Sequence, residues 1–134
     1  MKKAVIHSDG ASSGNPGQAG IGGVISYEDK TYEFSRPIGI TTNNVAEYSA
    51  LVEALKKAKE LGAREVEVYM DSELVVKQIN GQYKVKHENM VPLFDKAMTF
   101  LRSFKKYSVK HVRREENKRA DKLSKEAIKQ LRLI

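Results

Sequence analysis

Four acidic residues hold most of the chemical potential of this sequence: Asp9, Glu47, Asp71 and Asp121. Asp9 closes the apolar run Ala4-Val5-Ile6 and opens an Asp-Gly turn. Asp71 closes the run Val66-Glu67-Val68-Tyr69-Met70. Glu47 and Asp121 fall in the first turns of two expected helices. Strand ends beside helix starts are where α/β proteins build their sites. Four carboxylates meeting there would repel one another unless cations neutralised them. The chain carries a formal net charge of +7, so this acidic focus does not follow from an acidic composition. The pattern points to a divalent-metal site for phosphodiester chemistry.

The neighbours of these acids are short polar residues and glycines. Asp9-Gly10 leads into Ala11-Ser12-Ser13-Gly14-Asn15-Pro16-Gly17. Glycine lets a backbone approach a ligand closely, and Asn15 offers an amide to a phosphate or sugar. A plain glycine-rich hairpin turn would use the same residues. Thr41-Thr42-Asn43-Asn44 precedes Glu47. Asn44 as N-cap with Glu47 three residues later is a capping-box arrangement. That accounts for Asn44 and Glu47 but not for the polar run before them, which suits phosphate and ribose contacts at a positive helix end. Asp71 or Ser72 would cap the next helix. Asp121 would be a favourable charge near a helix N-terminus. Each acid has a structural role open to it; their shared strand-to-helix position does not follow from those roles.

The elements that must position these residues are read from periodicity. Lys3 to Ser8 is a buried strand, followed by a glycine-rich turn and a second strand near Gly22 to Glu28. Glu28-Asp29-Lys30 is a hairpin turn, and Thr31 to Arg36 alternates as a third strand. Asn44 to Leu61 is helical, with Val45, Tyr48, Leu51, Val52, Leu55, Ala58 and Leu61 on one face and Gly62 as its stop. Val66, Val68 and Met70 alternate as a fourth strand. Ser72 to Asn80 and Pro92 to Phe104 are helices, Tyr107 to Val112 a fifth strand, and Asn117 to Leu133 a last amphipathic helix. The order βββαβααβα describes an α/β protein: a mixed five-stranded sheet, three antiparallel strands then parallel ones, flanked by helices.

At 134 residues the chain suits one domain, 1–134, around one core. Cysteine is absent, which excludes disulfides and thiolate zinc sites and agrees with a reducing cytoplasm. The apolar stretch after Met1-Lys2-Lys3 ends at His7, too short for a signal segment or membrane span. A soluble cytoplasmic monomer is expected. The pI of 9.5 favours polyanionic partners, although a solvated lysine-rich surface would give the same value. Much of the basic excess lies in the C-terminal third.

The ordered set Asp9-Gly10 with Gly14-Asn15-Pro16-Gly17, Thr42-Asn43-Asn44 with Glu47, Asp71-Ser72, and Asn117 with Ala120-Asp121 resembles the type 1 ribonuclease H family. The matching pieces span nearly the whole chain. The resemblance implies a ribonuclease H-like fold and cleavage of the RNA strand of RNA–DNA hybrids. It implies two magnesium ions, with manganese as substitute, held by Asp9, Glu47, Asp71 and Asp121, and products with 5′-phosphate and 3′-hydroxyl ends. Gly10, Asn15, Asn44 and Ser72 match positions that feel the minor groove and its 2′-hydroxyls. Thr42 and Asn43 match positions near a DNA-strand phosphate.

The sequence departs from the family pattern twice. Many members carry a histidine on a loop before the last acid; here the loop is Arg113-Arg114-Glu115-Glu116, as in a shorter branch of the family. Arg113 or Arg114 would serve near the product phosphate, beside Asn117. His111 falls inside the fifth strand, where a structural role is expected, and His7 is expected to pack in the core. Some members also insert a basic helix where this chain has only Gly81 to Glu88, with Lys84, Lys86 and His87. Weaker, salt-sensitive hybrid binding is therefore expected. Double-stranded RNA is a further candidate substrate. The competing reading is a non-catalytic binding module for hybrid or duplex RNA.

Overall fold

The computed structural model describes residues 2–132. Its elements are β1 (Lys3–Ser12), β2 (Gly17–Tyr27), β3 (Lys30–Thr41), α1 (Asn43–Leu61), β4 (Glu65–Met70), α2 (Glu73–Ile79), α3 (Val91–Arg102), β5 (Lys106–His111) and α4 (Lys118–Arg132), with a short 3-10 turn at Arg114–Glu116. The expected helix end at Leu133 lies outside the described residues. The sheet order is β3-β2-β1-β4-β5. The first three strands form an antiparallel meander, and β4 and β5 add in parallel to β1. The expected mixed sheet is the observed one.

The two faces of the sheet are covered differently. Ala4, Ile6, Ile25, Val66, Val68, Met70 and Val109 form one buried core with Leu51 and Leu55 of α1 and Leu101 of α3. Within this layer the Tyr48 hydroxyl donates to Gln78 Oε1 at 2.6 Å, tying α1 to α2. The other face receives α4, which packs mainly on β2. A glycine makes this possible: a Cβ on Gly22 would lie 2.5 Å from Ser124 N and 2.6 Å from Ala120 O.

That packing explains the main correction to the expected boundaries. The glycine-rich segment between Ser8 and Gly22 is not a turn throughout. β1 runs to Ser12 and stays paired with β2, with Asp9 opposite Gly22 and Gly10 opposite Ile21. Asp9-Gly10 is strand, and the reversal falls at 13–16. β3 likewise continues past Arg36 to Thr41, through an irregularity opposite Ala19/Gly20. Glycines that read locally as turn residues are required here by close helix-on-sheet contact. The second hairpin is as expected: Tyr27 pairs with Lys30, and Glu28 and Asp29 adopt φ of 47° and 67°, the two-residue turn that suits strand twist.

The start of α1 also differs. Because β3 runs to Thr41, Thr42 is the extended residue at the helix entrance, and its Oγ1 accepts from Val45 N–H at 3.3 Å. Asn44 lies inside the first turn rather than at the cap. Glu47 is therefore free of the capping-box role, and its side chain is buried.

Candidate active site

Register brings the two central acids together. In the parallel β1–β4 pair, His7 stands opposite Tyr69. Two residues further along each strand are Asp9 and Asp71, side by side. β4 ends there, while β1 continues against β2. Glu47 arrives from α1, whose first turn crosses β1 at Gly10; a Cβ on Gly10 would collide with the backbone of Ala46 and Glu47. Carboxylate oxygens of Asp9, Glu47 and Asp71 all lie within 4.8 Å of one another.

Asp121 completes the site from the opposite side without joining this group of three. Asn117 places it: its buried Nδ2 donates to the Ser8 carbonyl at 3.0 Å, and its own carbonyl accepts from Asp121 N–H at 3.1 Å. Asp121 faces Asp9, but its Oδ2 accepts from Lys125 Nζ at 3.0 Å and its Oδ1 lies 3.9 Å from Arg114 Nη2.

Burial of like charges sets the electrostatics. Asp9 is 3% exposed and Glu47 8%. Burial pushes the Asp9 carboxyl up to about 7; a hydrogen bond with Glu47 opposes the rise, and the charges of Asp71 and Asp121 add to it. Burial, then the neighbouring Asp9, holds Glu47 well above the usual carboxylate range, offset in part by the Gly10 backbone N–H. At Asp121 burial also acts upward, but the Lys125 hydrogen bond, the contact with Asp9 and the charges of Lys125 and Arg114 outweigh it and hold that carboxyl below its ordinary value. Glu47 Oε2 and Asp121 Oδ1 are buried acceptors with no hydrogen-bond partner. Buried carboxylate oxygens without donors fit a hard divalent cation, which binds oxygen ligands and relieves both desolvation and repulsion.

A cleft of about 550 Å³ opens over the acids, lined also by Gly10, Ser12, Asn43, Asn44, Ser72, Arg114 and Lys125. Asn43 Oδ1 accepts from Ser12 N–H at 2.9 Å and Ser12 Oγ at 3.0 Å, while Asn15 Oδ1 accepts from Asn43 N–H at 3.0 Å. This latch joins the β1–β2 turn to the start of α1. It occupies the acceptor oxygens of both amides and leaves their NH₂ donors available. Ser72 caps α2, its Oγ accepting from Val75 N–H at 3.3 Å.

The candidate auxiliary residues separate. Arg114 lines the cleft, whereas Arg113 is exposed and pairs with Glu116 at 3.6 Å. Asn117 is a buried anchor. His111 is exposed on β5. His7 is half-buried rather than packed in the core, stacked on Tyr69 with ring centroids 5.2 Å apart. The Gly81 to Glu88 connection contains no helix, in agreement with the missing basic insertion. Lys125 and Ser12 were not evident as site residues. The signal for Lys125 is its spacing, four residues after Asp121 on one helix.

A mixed sheet of this order, with carboxylates at the adjoining ends of its two central parallel strands, defines a ribonuclease H-like fold with a nuclease-type acidic centre. Residues 7–127 match the family described as reverse transcriptase-like. The chain is 35% identical to a ribonuclease H of Chlorobium phaeobacteroides, covering 96% of this chain and 97% of that protein. It is 43% identical to the bifunctional protein Rv2228c of Mycobacterium tuberculosis, covering 94% of this chain and 35% of the relative. The chain thus spans about a third of the length of that relative. The N-terminal RNase H domain of that protein superposes with a TM-score of 0.93 at 41% identity, covering 97% of this chain and 96% of the domain. LC11-RNase H1, solved in complex with an RNA/DNA hybrid, superposes with a TM-score of 0.89 at 44% identity, covering 96% and 98% of the two chains. This chain belongs to the ribonuclease H family. Among its described residues no helix is long and apolar enough to cross a membrane.

Proposed function

We propose that this chain is an endoribonuclease that hydrolyses the RNA strand of RNA–DNA hybrids, leaving 5′-phosphate and 3′-hydroxyl ends. The observation that carries this reading is the meeting of Asp9, Glu47 and Asp71, from three separate elements, in a cleft where buried carboxylate oxygens lack donors. The hybrid held by the similar LC11-RNase H1 supports the choice of substrate.

Asp9, Glu47, Asp71 and Asp121 are the proposed ligands of two magnesium ions, with manganese as substitute. When bound, such ions supply water activation and stabilise charge on the leaving oxygen. The protein's own contribution is to hold four carboxylates apart enough to remain separate ligands and close enough to share a substrate phosphate. Thr42 and the Asn43 amide donor are the proposed contacts of a DNA-strand phosphate. Gly10, Asn15, Asn44 and Ser72 are the proposed contacts of the minor groove and its RNA 2′-hydroxyls. Arg114 stands where a product phosphate would leave. Double-stranded RNA is proposed as a secondary substrate. The working unit is taken as one domain, residues 1–134, acting as a cytoplasmic monomer.

The test is cleavage of an end-labelled hybrid with Mg²⁺ and with Mn²⁺, beside single-stranded RNA, duplex RNA and the Asp71→Asn protein. Metal-dependent cutting of the hybrid's RNA strand, lost in a folded Asp71→Asn protein, is expected. Tight binding without cutting under either metal would replace this reading with the non-catalytic module.

A further inference from the structure

The geometry points to Lys125 as a resident counter-cation for Asp121, a positioning residue that competes with a divalent ion there and weakens that ion's binding relative to the ion held by Asp9, Glu47 and Asp71. The inference rests on the metal reading above and goes beyond it by making the two ion positions unequal.

Three observations carry it. First, Asp121 stands outside the group of three carboxylates whose oxygens lie within 4.8 Å of one another. Second, its Oδ2 is engaged by Lys125 Nζ at 3.0 Å, one helical turn along α4, while its Oδ1 is buried without a donor. Arg114 lies further away, at 3.9 Å. Third, Lys125 borders the same cleft, yet its side chain is 53% exposed. A lysine is a compact, strongly hydrated charge on a flexible stem, so this ammonium can swing into water at little cost. An ion that needs Asp121 must displace the ammonium or sit beside it against Coulomb repulsion. An ion held by the other three carboxylates meets no such contact. One position therefore binds an ion more tightly than the other.

The test is Mn²⁺ binding without nucleic acid, followed by calorimetry and by the paramagnetic signal of free Mn²⁺. The proteins are wild type, Lys125→Met, Lys125→Gln, Lys129→Met and the double variant Lys125→Met with Asp121→Asn. Lys129 is exposed on the same helix and controls for net charge. Two unequal binding classes are expected in wild type. Lys125→Met and Lys125→Gln should tighten the weaker class about tenfold, the order expected from one ammonium beside a dication in a water-rich setting. The tighter class and Lys129→Met should change by less than about twofold, because exposed charges are well screened. The gain should vanish in the double variant. Unchanged weak-class binding in both Lys125 variants, or an equal gain in Lys129→Met, overturns the inference while leaving the metal reading standing. No Mn²⁺ binding by wild type overturns both.

Discussion

Replacing Asp9 with Asn should make the protein more stable in the absence of divalent ions while abolishing cleavage. Asp9 is buried beside two other carboxylates, and its carboxyl rises from an ordinary 3.8 to about 7. At about 1.4 kcal/mol per pH unit, that displacement corresponds to an upper figure of roughly 4 kcal/mol. The sign follows from proton binding. Between about pH 4 and 7 the folded protein keeps a proton on Asp9 that the unfolded chain has lost. Stability is therefore highest below pH 4 with respect to this group, falls as pH rises through about 7, and stays reduced above it. Asn has nearly the same shape and does not titrate, so the variant lacks this fall. Guanidinium denaturation in EDTA at pH 4.5, 6 and 8 measures the difference. The variant should exceed wild type by only about 1 kcal/mol at pH 4.5 and by about 2–4 kcal/mol at pH 8. Added Mn²⁺ should then stabilise wild type more than the variant. A variant no more stable than wild type at pH 8, or a gap independent of pH, would refute the account of the site as a focus of buried like charge.

Gly22→Ala should lower stability by about 1–3 kcal/mol or more, because the added methyl meets the α4 backbone; an unchanged Tm would show that α4 can move aside. Asn117→Ala should cost about 1–3 kcal/mol, since the Ser8 carbonyl loses its buried donor. It should also slow cleavage through a loosened Asp121, so a stability loss with full turnover would separate the anchor from the chemistry. Arg114→Ala should reduce turnover about tenfold through loss of a cation at the cleft. His111→Ala, on the exposed β5 edge, should leave the rate within about twofold. The reverse ranking in turnover assays would show that the group serving the product phosphate lies on β5 rather than at Arg114.

The types and order of the chemical groups were legible in the linear chain. Asp9 and Asp71 each end an apolar run, Glu47 follows a polar run, and Asp121 opens an amphipathic segment; these are local facts that periodicity exposes. Element order was legible for the same reason, and so were the two-residue hairpin at Glu28-Asp29 and the helix stop at Gly62. Strand lengths around the glycines were not. Gly10 and Gly20 read as turn residues because local propensity favours turns there, whereas α1 and α4 approach the sheet at those points and exclude a side chain. Thr42 rather than Asn44 caps α1 because β3 stays paired with β2 up to Thr41, a fact of tertiary pairing. The site's internal geometry also belongs to the fold. Asp9 and Asp71 meet only because β1 and β4 pair in the register that sets His7 against Tyr69. Asp121 is paired with Lys125 one helical turn along α4 and positioned by the Asn117 anchor to Ser8. Residue type determines which groups can ionise or donate, and those properties are carried by each monomer alone. Distances, burial and the resulting charge states come from contacts between residues far apart in the chain, and only the packed structure decides them.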